Sequence, residues 1–451
     1  MSAAPQPSSL ADLGVAGTVD AIRGGTTTAA ARIDAALARI AETDGVLGAW
    51  VTVDEDGARA QARALDRARA GGRPTGPLHG VPVGIKDLID VAGLPTTNGA
   101  PAFAHSHPAA DATLVARLRG AGVVIVGKTV PTMFAYKDPA PTLNPWAADR
   151  TPGGSSTGSA VAVAARQVPV AIGTQTIGSI LRPSAFCGVV GLKGDHGAVP
   201  ADGVFPLSWT LDHLGPIGRS VADVALVEAV LLGRPVAPEP VDAPRLGVSP
   251  ALFEPAEPAL RAHLEGLVRR FADDGAEVVE VELPAGFEAL LDAGRLILEA
   301  EAATVHEAWF KDHAAAYGPQ VAGLVEAGLG RTATQLVRAS RVRDAYRDAV
   351  APVLAACDAV LSPVAPGPAP LRAVGTGDVR LCAPWSFTGV PAISIPTGLD
   401  GDGLPLALQL VGGPGRLGRL LGAAAWCERV IGFDERPAAP SAVGAGSTPA
   451  S

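Results

Sequence analysis

One lysine in apolar surroundings and two serine-bearing bends are the residues of this chain best suited to chemistry. Lys86 stands in LHGVPVGIKDLIDVAGLPTTNG, among small and apolar residues, in a chain with five lysines: Lys86, Lys128, Lys137, Lys193 and Lys311. A lysine so placed is either a pinned cation or an amine whose pKa burial has lowered, as a general base requires. The serines lie in TPGGSSTGSAVAVAARQVPVAIGTQTIGSILRPSAFCGVVGLKGDHGAVP, residues 151–200. Pro152, Gly153, Gly154 and Gly158 put Ser155 and Ser156 on a bend, and 173–179 (GTQTIGS) forms a second tight loop carrying Ser179. A serine hydroxyl is a weak nucleophile until a base takes its proton. Taken alone, Gly/Ser-rich stretches are ordinary loops, and it is their pairing with Lys86 that raises the chemical reading.

The elements between these residues decide whether they can meet. Residues 159–166 (SAVAVAAR) read as a short helix and 168–172 (VPVAI) as a buried strand, a compact unit able to bring Ser155 towards Ser179. A strand within 80–91 carries Lys86, and Val123 to Val126 is a further strand, β-branched throughout. Helices are expected over 29–40, 54–70, 111–121 and 219–232, with Thr26 to Thr28 as caps for the first. A Pro-rich run at 236–242 opens a charged, helical section over about 236–357, with helices at 259–274, 286–303, 304–317 and 334–356 and a strand at 277–281. Strands at 359–363 and 392–396 return to the core.

Two motifs resemble other chemistries and fail on context. Residues 122–129 (GVVIVGKT) match a phosphate-binding loop, but such a loop needs free backbone at the positions that Val123 to Val126 give to a strand. Residues 154–158 (GSSTG) match a nucleophile elbow, which needs a buried strand just before it. Pro141, Pro145 and Pro152 argue against that strand. The eight histidines include no metal-binding spacing, and no cofactor or metal is called for. Among the 451 residues, a net charge of −9 without a basic run argues against nucleic acid. No apolar run reaches the length of a membrane span. The four scattered cysteines suit a reducing compartment. A cytoplasmic protein is expected, and the Arg-over-Lys bias suggests a bacterial source. Residues 1–9 and 436–451 read as disordered tails.

Several blocks carry a resemblance: PLHGVPVGIKDLIDVAGLPTTNG, GVVIVGKTVPTMFAY, PGGSSTGSAVAVAA, the run from AIGTQTIGSI to GVVGLK, LDHLGPIGRSVADVAL, and TGVPAISIPTG with GLPLALQLVGG. Together, over about residues 20–435, they resemble the amidase signature family. The resemblance implies an α/β fold with a large, mixed, twisted central sheet covered by helices on both faces. It implies one domain over 10–435, with a catalytic core at about 60–235 and 358–435 and a helical cover at 236–357.

It also implies a Ser–cis-Ser–Lys triad: Lys86 the base, Ser155 the bridging hydroxyl, Ser179 the nucleophile, and a cis peptide between Gly154 and Ser155. The backbone N–H groups of Thr176, Ile177, Gly178 and Ser179 would form the oxyanion hole. Three departures stand out. Gln175 and Ile177 replace the family's Asp and Gly, and Leu181-Arg182 moves its Arg by one position. Met133, Phe134, Tyr136, Gln175 and Trp209 are candidate pocket walls, the aromatic and Met side chains suiting apolar or aryl groups. The expected activity is C–N hydrolysis of apolar or aryl amides or carbamates, urethanes included, by a monomer or homodimer. The alternatives are an α/β-hydrolase-type esterase and an amidotransferase-like protein releasing ammonia from glutamine.

Overall fold

The structure, a computed structural model, describes residues 10–438 apart from 101 and 103–105. The expected tail at 1–9, and the part of the other tail from 439 onwards, lie outside the described residues. Eleven strands form one mixed sheet: β1 (Trp50–Val53), β2 (Pro82–Lys86), β3 (Val124–Thr129), β4 (Val170–Gln175), β5 (Val190–Lys193), β6 (His213–Gly218), β7 (Arg245–Val248), β8 (Glu277–Glu280), β9 (Ala359–Pro363), β10 (Ala392–Leu399) and β11 (Pro405–Val411). Their spatial order is β1-β3-β2-β4-β6-β5-β10-β11-β9-β7-β8. β2 runs parallel to β3 and β4, and β7 parallel to β8 and β9. The remaining pairs are antiparallel.

Both faces of the sheet are buried, and alternation along the strands shows why. Ile125 points into one apolar cluster while Val124 and Val126 point into another, and Ala171 opposes Val170 and Ile172 in the same way. Strands covered on both faces read as near-continuous apolar runs, which is how Val123 to Val126 stands in the sequence. The helices Ala29–Leu47, Glu55–Ala70 and Thr157–Ala164 contribute to one cluster; Thr113–Gly120 and Val221–Leu232 contribute to the other. Thr28 caps the first of these, its side chain accepting from Ala31 N.

The middle section differs from its expected form. The expected helix and strand are present as Pro258–Asp273 and β8, while β7 is an added strand that, with β8, extends the sheet edge. Two expected helices are one, Phe287–His313, because its buried stripe continues through Ala302, Ala303, His306 and Phe310. An unexpected helix, Pro319–Leu329, follows before Ala333–Ala355. Among the described residues, no helix is long and apolar enough to cross a membrane.

Candidate active site

Lys86 is the last residue of β2, a strand bonded on both sides by parallel neighbours, and its side chain is fully buried. Its Nζ lies 2.7 Å from Ser155 Oγ, 2.7 Å from Thr174 Oγ1 and 3.3 Å from Thr174 O. Burial drives its pKa well below the ordinary lysine value, opposed only in part by the Asp212 carboxylate. Lys128, equally buried, makes the contrast. It forms an ion pair with Asp87 at 2.7 Å and also donates to Thr96 Oγ1 and Pro95 O. Of these two, Lys128 is the pinned cation, while Lys86, among the described residues, contacts no carboxylate.

The two bends meet. Ser156 N donates to Ser179 O at 3.1 Å, and Ser156 Oγ donates to Thr174 O at 3.1 Å while accepting from Thr174 N. Ser155 and Ser179 thus sit on adjoining loops, 1 % and 4 % exposed. The approach needs glycine at 173, where a Cβ would come within 2.7 Å of Ser156 Oγ. It needs glycine also at 158, where a Cβ would lie 2.1 Å from Ala49 O. The Gly154–Ser155 peptide is cis. Its carbonyl accepts from Arg182 Nη2 at 2.8 Å, and the same guanidinium reaches Thr376 Oγ1 and Gly377 O. Arg182 thus ties the serine bend to residues 376 and 377. Burial lowers its pKa to about 10.

Among the described residues, the N–H groups of Thr176, Ile177, Gly178 and Ser179 donate to no protein acceptor. They leave a cluster of donors beside Ser179 such as an oxyanion requires. Gln175 organises this turn from behind: its Oε1 accepts from Ile180 N and Leu181 N, and its Nε2 donates to Ser386 Oγ. Fully buried and so engaged, Gln175 is a support of the loop and not the pocket wall expected of it. Ile177 packs into the main core cluster. Thr176 Oγ1 donates to Asp212 at 2.6 Å.

A cavity of about 300 Å³ opens beside this turn, lined by Thr174, Thr176, Asp212 and His213 and walled by Phe205 and Trp209. Of the expected walls, Trp209 is in place. Met133 and Phe134 are not among the residues lining it. The backbone turns left-handed at Phe134 (φ 46°) and Ala135 (φ 62°), which gives Ala135 to the cavity and Phe134 to the helical cover. Phe134 stacks on Tyr317 at 5.2 Å between centroids, and Met133 Sδ accepts from Gly318 N. Tyr136 packs between the same cover and the main core. Sequence reasoning misses Thr174 and Asp212. The hydroxyl of Thr174, within the same loop run as Ser179, is a usable signal; the contact of Asp212 with Thr176, 36 positions away, is not.

The chain is similar to known proteins over nearly its whole length. The family model described as Amidase matches residues 31–421. The chain is 37 % identical to a glutamyl-tRNA(Gln) amidotransferase subunit from Anaeromyxobacter sp. (strain K), over 90 % of this chain and 94 % of that protein. It is likewise 37 % identical to an amidase of Pseudomonas putida, over 97 % of this chain and 100 % of the relative. The solved peptide amidase of Stenotrophomonas maltophilia superposes with a TM-score of 0.84 at 29 % identity, covering 95 % of this chain and 99 % of that one. With the mixed sheet, the buried lysine and both serine bends in family order, this chain belongs to the amidase signature family.

Proposed function

We propose that the protein is a stand-alone hydrolase cleaving amide or carbamate C–N bonds in apolar or aryl small molecules, with Ser179 as nucleophile, Ser155 as relay and Lys86 as base. The observation that carries this reading is the buried Lys86 amine, bonded to two hydroxyls and one carbonyl and contacting no carboxylate. A neutral amine has two N–H donors and one lone pair. Thr174 Oγ1 and Thr174 O accept the two donors, which leaves the lone pair for the Ser155 O–H. Ser155 Oγ is then oriented to accept the Ser179 proton as Ser179 attacks the substrate carbonyl. The developing oxyanion accepts from the 176–179 backbone N–H groups, each worth about 3–4 kcal/mol in enzymes where one was removed. The proton held by Lys86 returns through Ser155 to the departing amine. Water, deprotonated by the same relay, then releases the acid from Ser179, or, when the substrate is a carbamate, the carbonic acid half-ester, which breaks down to carbon dioxide and the alcohol.

A second reading has support in the relatives, several of which are amidotransferase subunits. Glutamine carries an α-carboxylate that asks for a cation. The cavity is lined by the carboxylates of Asp195 and Asp212, and among the described residues no Lys or Arg lines it. That favours a neutral, apolar substrate over glutamine. We further take residues 10–435 to work as one catalytic unit in the cytoplasm, whose reducing conditions suit four buried, unpaired cysteines. The test is a panel of p-nitroanilides, aryl carbamates and glutamine with release of amine or ammonia followed. Aryl amide or carbamate turnover exceeding glutaminase activity supports the reading; glutamine as the preferred substrate overturns it.

A further inference from the structure

Trp209 faces two spaces at once. It lines the 300 Å³ cavity beside Thr174 and Thr176, and it also lines an outer groove of about 450 Å³ between the helices Phe287–His313, Pro319–Leu329 and Ala333–Ala355. Its side chain is half-exposed, yet its turn is held on three sides. Asp212 Oδ2 accepts from Leu207 N and Ser208 N, before the tryptophan. Glu301, on the long cover helix, accepts from Ser208 Oγ at 2.5 Å, Thr210 N at 3.1 Å and Thr210 Oγ1 at 2.8 Å, on both sides of it. The Trp209 carbonyl itself lies 3.1 Å from His196 Nε2. An indole on a turn fixed in this way is a wall, and the Glu301 carboxylate fastens that wall to the helical cover.

We propose that Trp209 is the specificity-determining residue that limits how far a substrate extends from the reactive carbonyl, and that Glu301 is the positioning residue that holds it. The proposal rests on the hydrolase reading above. The inner cavity, about 300 Å³, is roughly twice the ~150 Å³ that takes up one benzene, which an aromatic ring with its amide and acyl atoms fills. A second ring has to enter the outer groove, and the indole stands between. The chain is therefore built for compact, single-ring amides and carbamates.

The experiment compares kcat/KM for one-ring and two-ring anilides bearing the same acyl group: p-nitroanilides against 2-naphthylamides and biphenylamides. Wild type favours the one-ring series. Trp209→Ala joins the two spaces and raises the two-ring to one-ring ratio about tenfold or more, the scale at which pocket volume discriminates substrates. Trp209→Phe leaves the ratio within about threefold of wild type, since one ring still closes the gap. Glu301→Ala moves the ratio in the same direction as Trp209→Ala, and Glu301→Gln, which keeps an acceptor oxygen, restores it towards wild type. A destabilised but correctly walled enzyme loses activity on both series together, so the ratio isolates positioning from stability. An unchanged ratio in Trp209→Ala overturns the wall; a changed ratio there with none in Glu301→Ala overturns the positioning role. Labelling of Ser179 by phenylmethanesulfonyl fluoride separates the two levels. Enzyme that labels but keeps its ratio sinks the wall alone, and enzyme that neither labels nor cleaves any amide sinks the hydrolase reading beneath it.

Discussion

Replacing Thr174 by valine tests how Lys86 is kept ready as a base. The substitution nearly preserves shape and removes one hydroxyl, which accepts from Lys86 Nζ at 2.7 Å inside a buried site. A hydrogen bond to a charged group is worth about 1.5–3 kcal/mol and to a neutral one about 0.5–1.5. Losing Thr174 Oγ1 therefore penalises the lysine cation over the neutral amine by roughly 1 kcal/mol, or about 0.7 pH units at 1.36 kcal/mol per unit. Activity needs the neutral amine, so kcat/KM rises with pH through the Lys86 pKa. That pKa is already lowered by burial. The sign follows: in Thr174→Val the acid limb of the profile moves to lower pH. The plateau falls at the same time, by about tenfold, because an unpartnered N–H leaves the lone pair less well aimed at Ser155. Thr174→Ser keeps the hydroxyl and keeps the limb in place. The assay is kcat/KM against pH on one aryl amide for all three proteins, with circular dichroism to verify folding. A limb that stays put or moves upward in Thr174→Val, at full plateau activity, refutes the assignment of Thr174 as the partner of a neutral lysine.

Two stability predictions follow from the same buried lysines. Lys86→Met removes an amine whose folded pKa is depressed, so between that pKa and the unfolded value near 10.4 the unfolded wild type binds the extra proton and its stability rises with pH. The variant is inactive, melts roughly one to a few degrees higher at pH 7, and loses this advantage as pH approaches 10; calorimetry across pH reads both effects. Asp87→Asn leaves Lys128 buried without its carboxylate, which costs about 3–5 kcal/mol in denaturant titrations, whereas a Lys128→Met/Asp87→Asn double variant, which removes the cation and keeps an acceptor for Thr97 N and Thr97 Oγ1, regains most of it.

How much the sequence discloses differs by element. The two serine bends are legible from their glycines and proline, and Lys86 stands out by its apolar setting, but the grouping of Lys86, Ser155 and Ser179 into one site comes from the family resemblance. The strand over Val124–Thr129 is legible from its β-branched run, which also disposes of the phosphate-loop motif. β6, His213–Gly218, carries two glycines and a proline and has no local strand signal; it exists because β4 and β5 flank it in the sheet. Thr304 reads as a break between helices, yet burial of Ala303 and His306 on either side carries one helix through it. Gln175 reads as a pocket residue because its chain neighbours face the site. Its partner Ser386 lies 211 residues further on, and no local pattern announces such a contact. Met133 and Phe134 mislead for a similar reason, since two left-handed residues in succession decide which side chain meets the cavity.

The most direct test of Ser179 as the nucleophile is site-resolved mass spectrometry after treatment with a fluorophosphonate or sulfonyl fluoride. Wild type, Ser179→Ala, Ser155→Ala and Lys86→Ala are compared. A single adduct on Ser179 in wild type, absent from Ser179→Ala and strongly slowed in the other two variants, is the predicted result. Full-rate labelling of Ser179→Ala, or an adduct on Ser155 or Ser156 in the wild type, contradicts it.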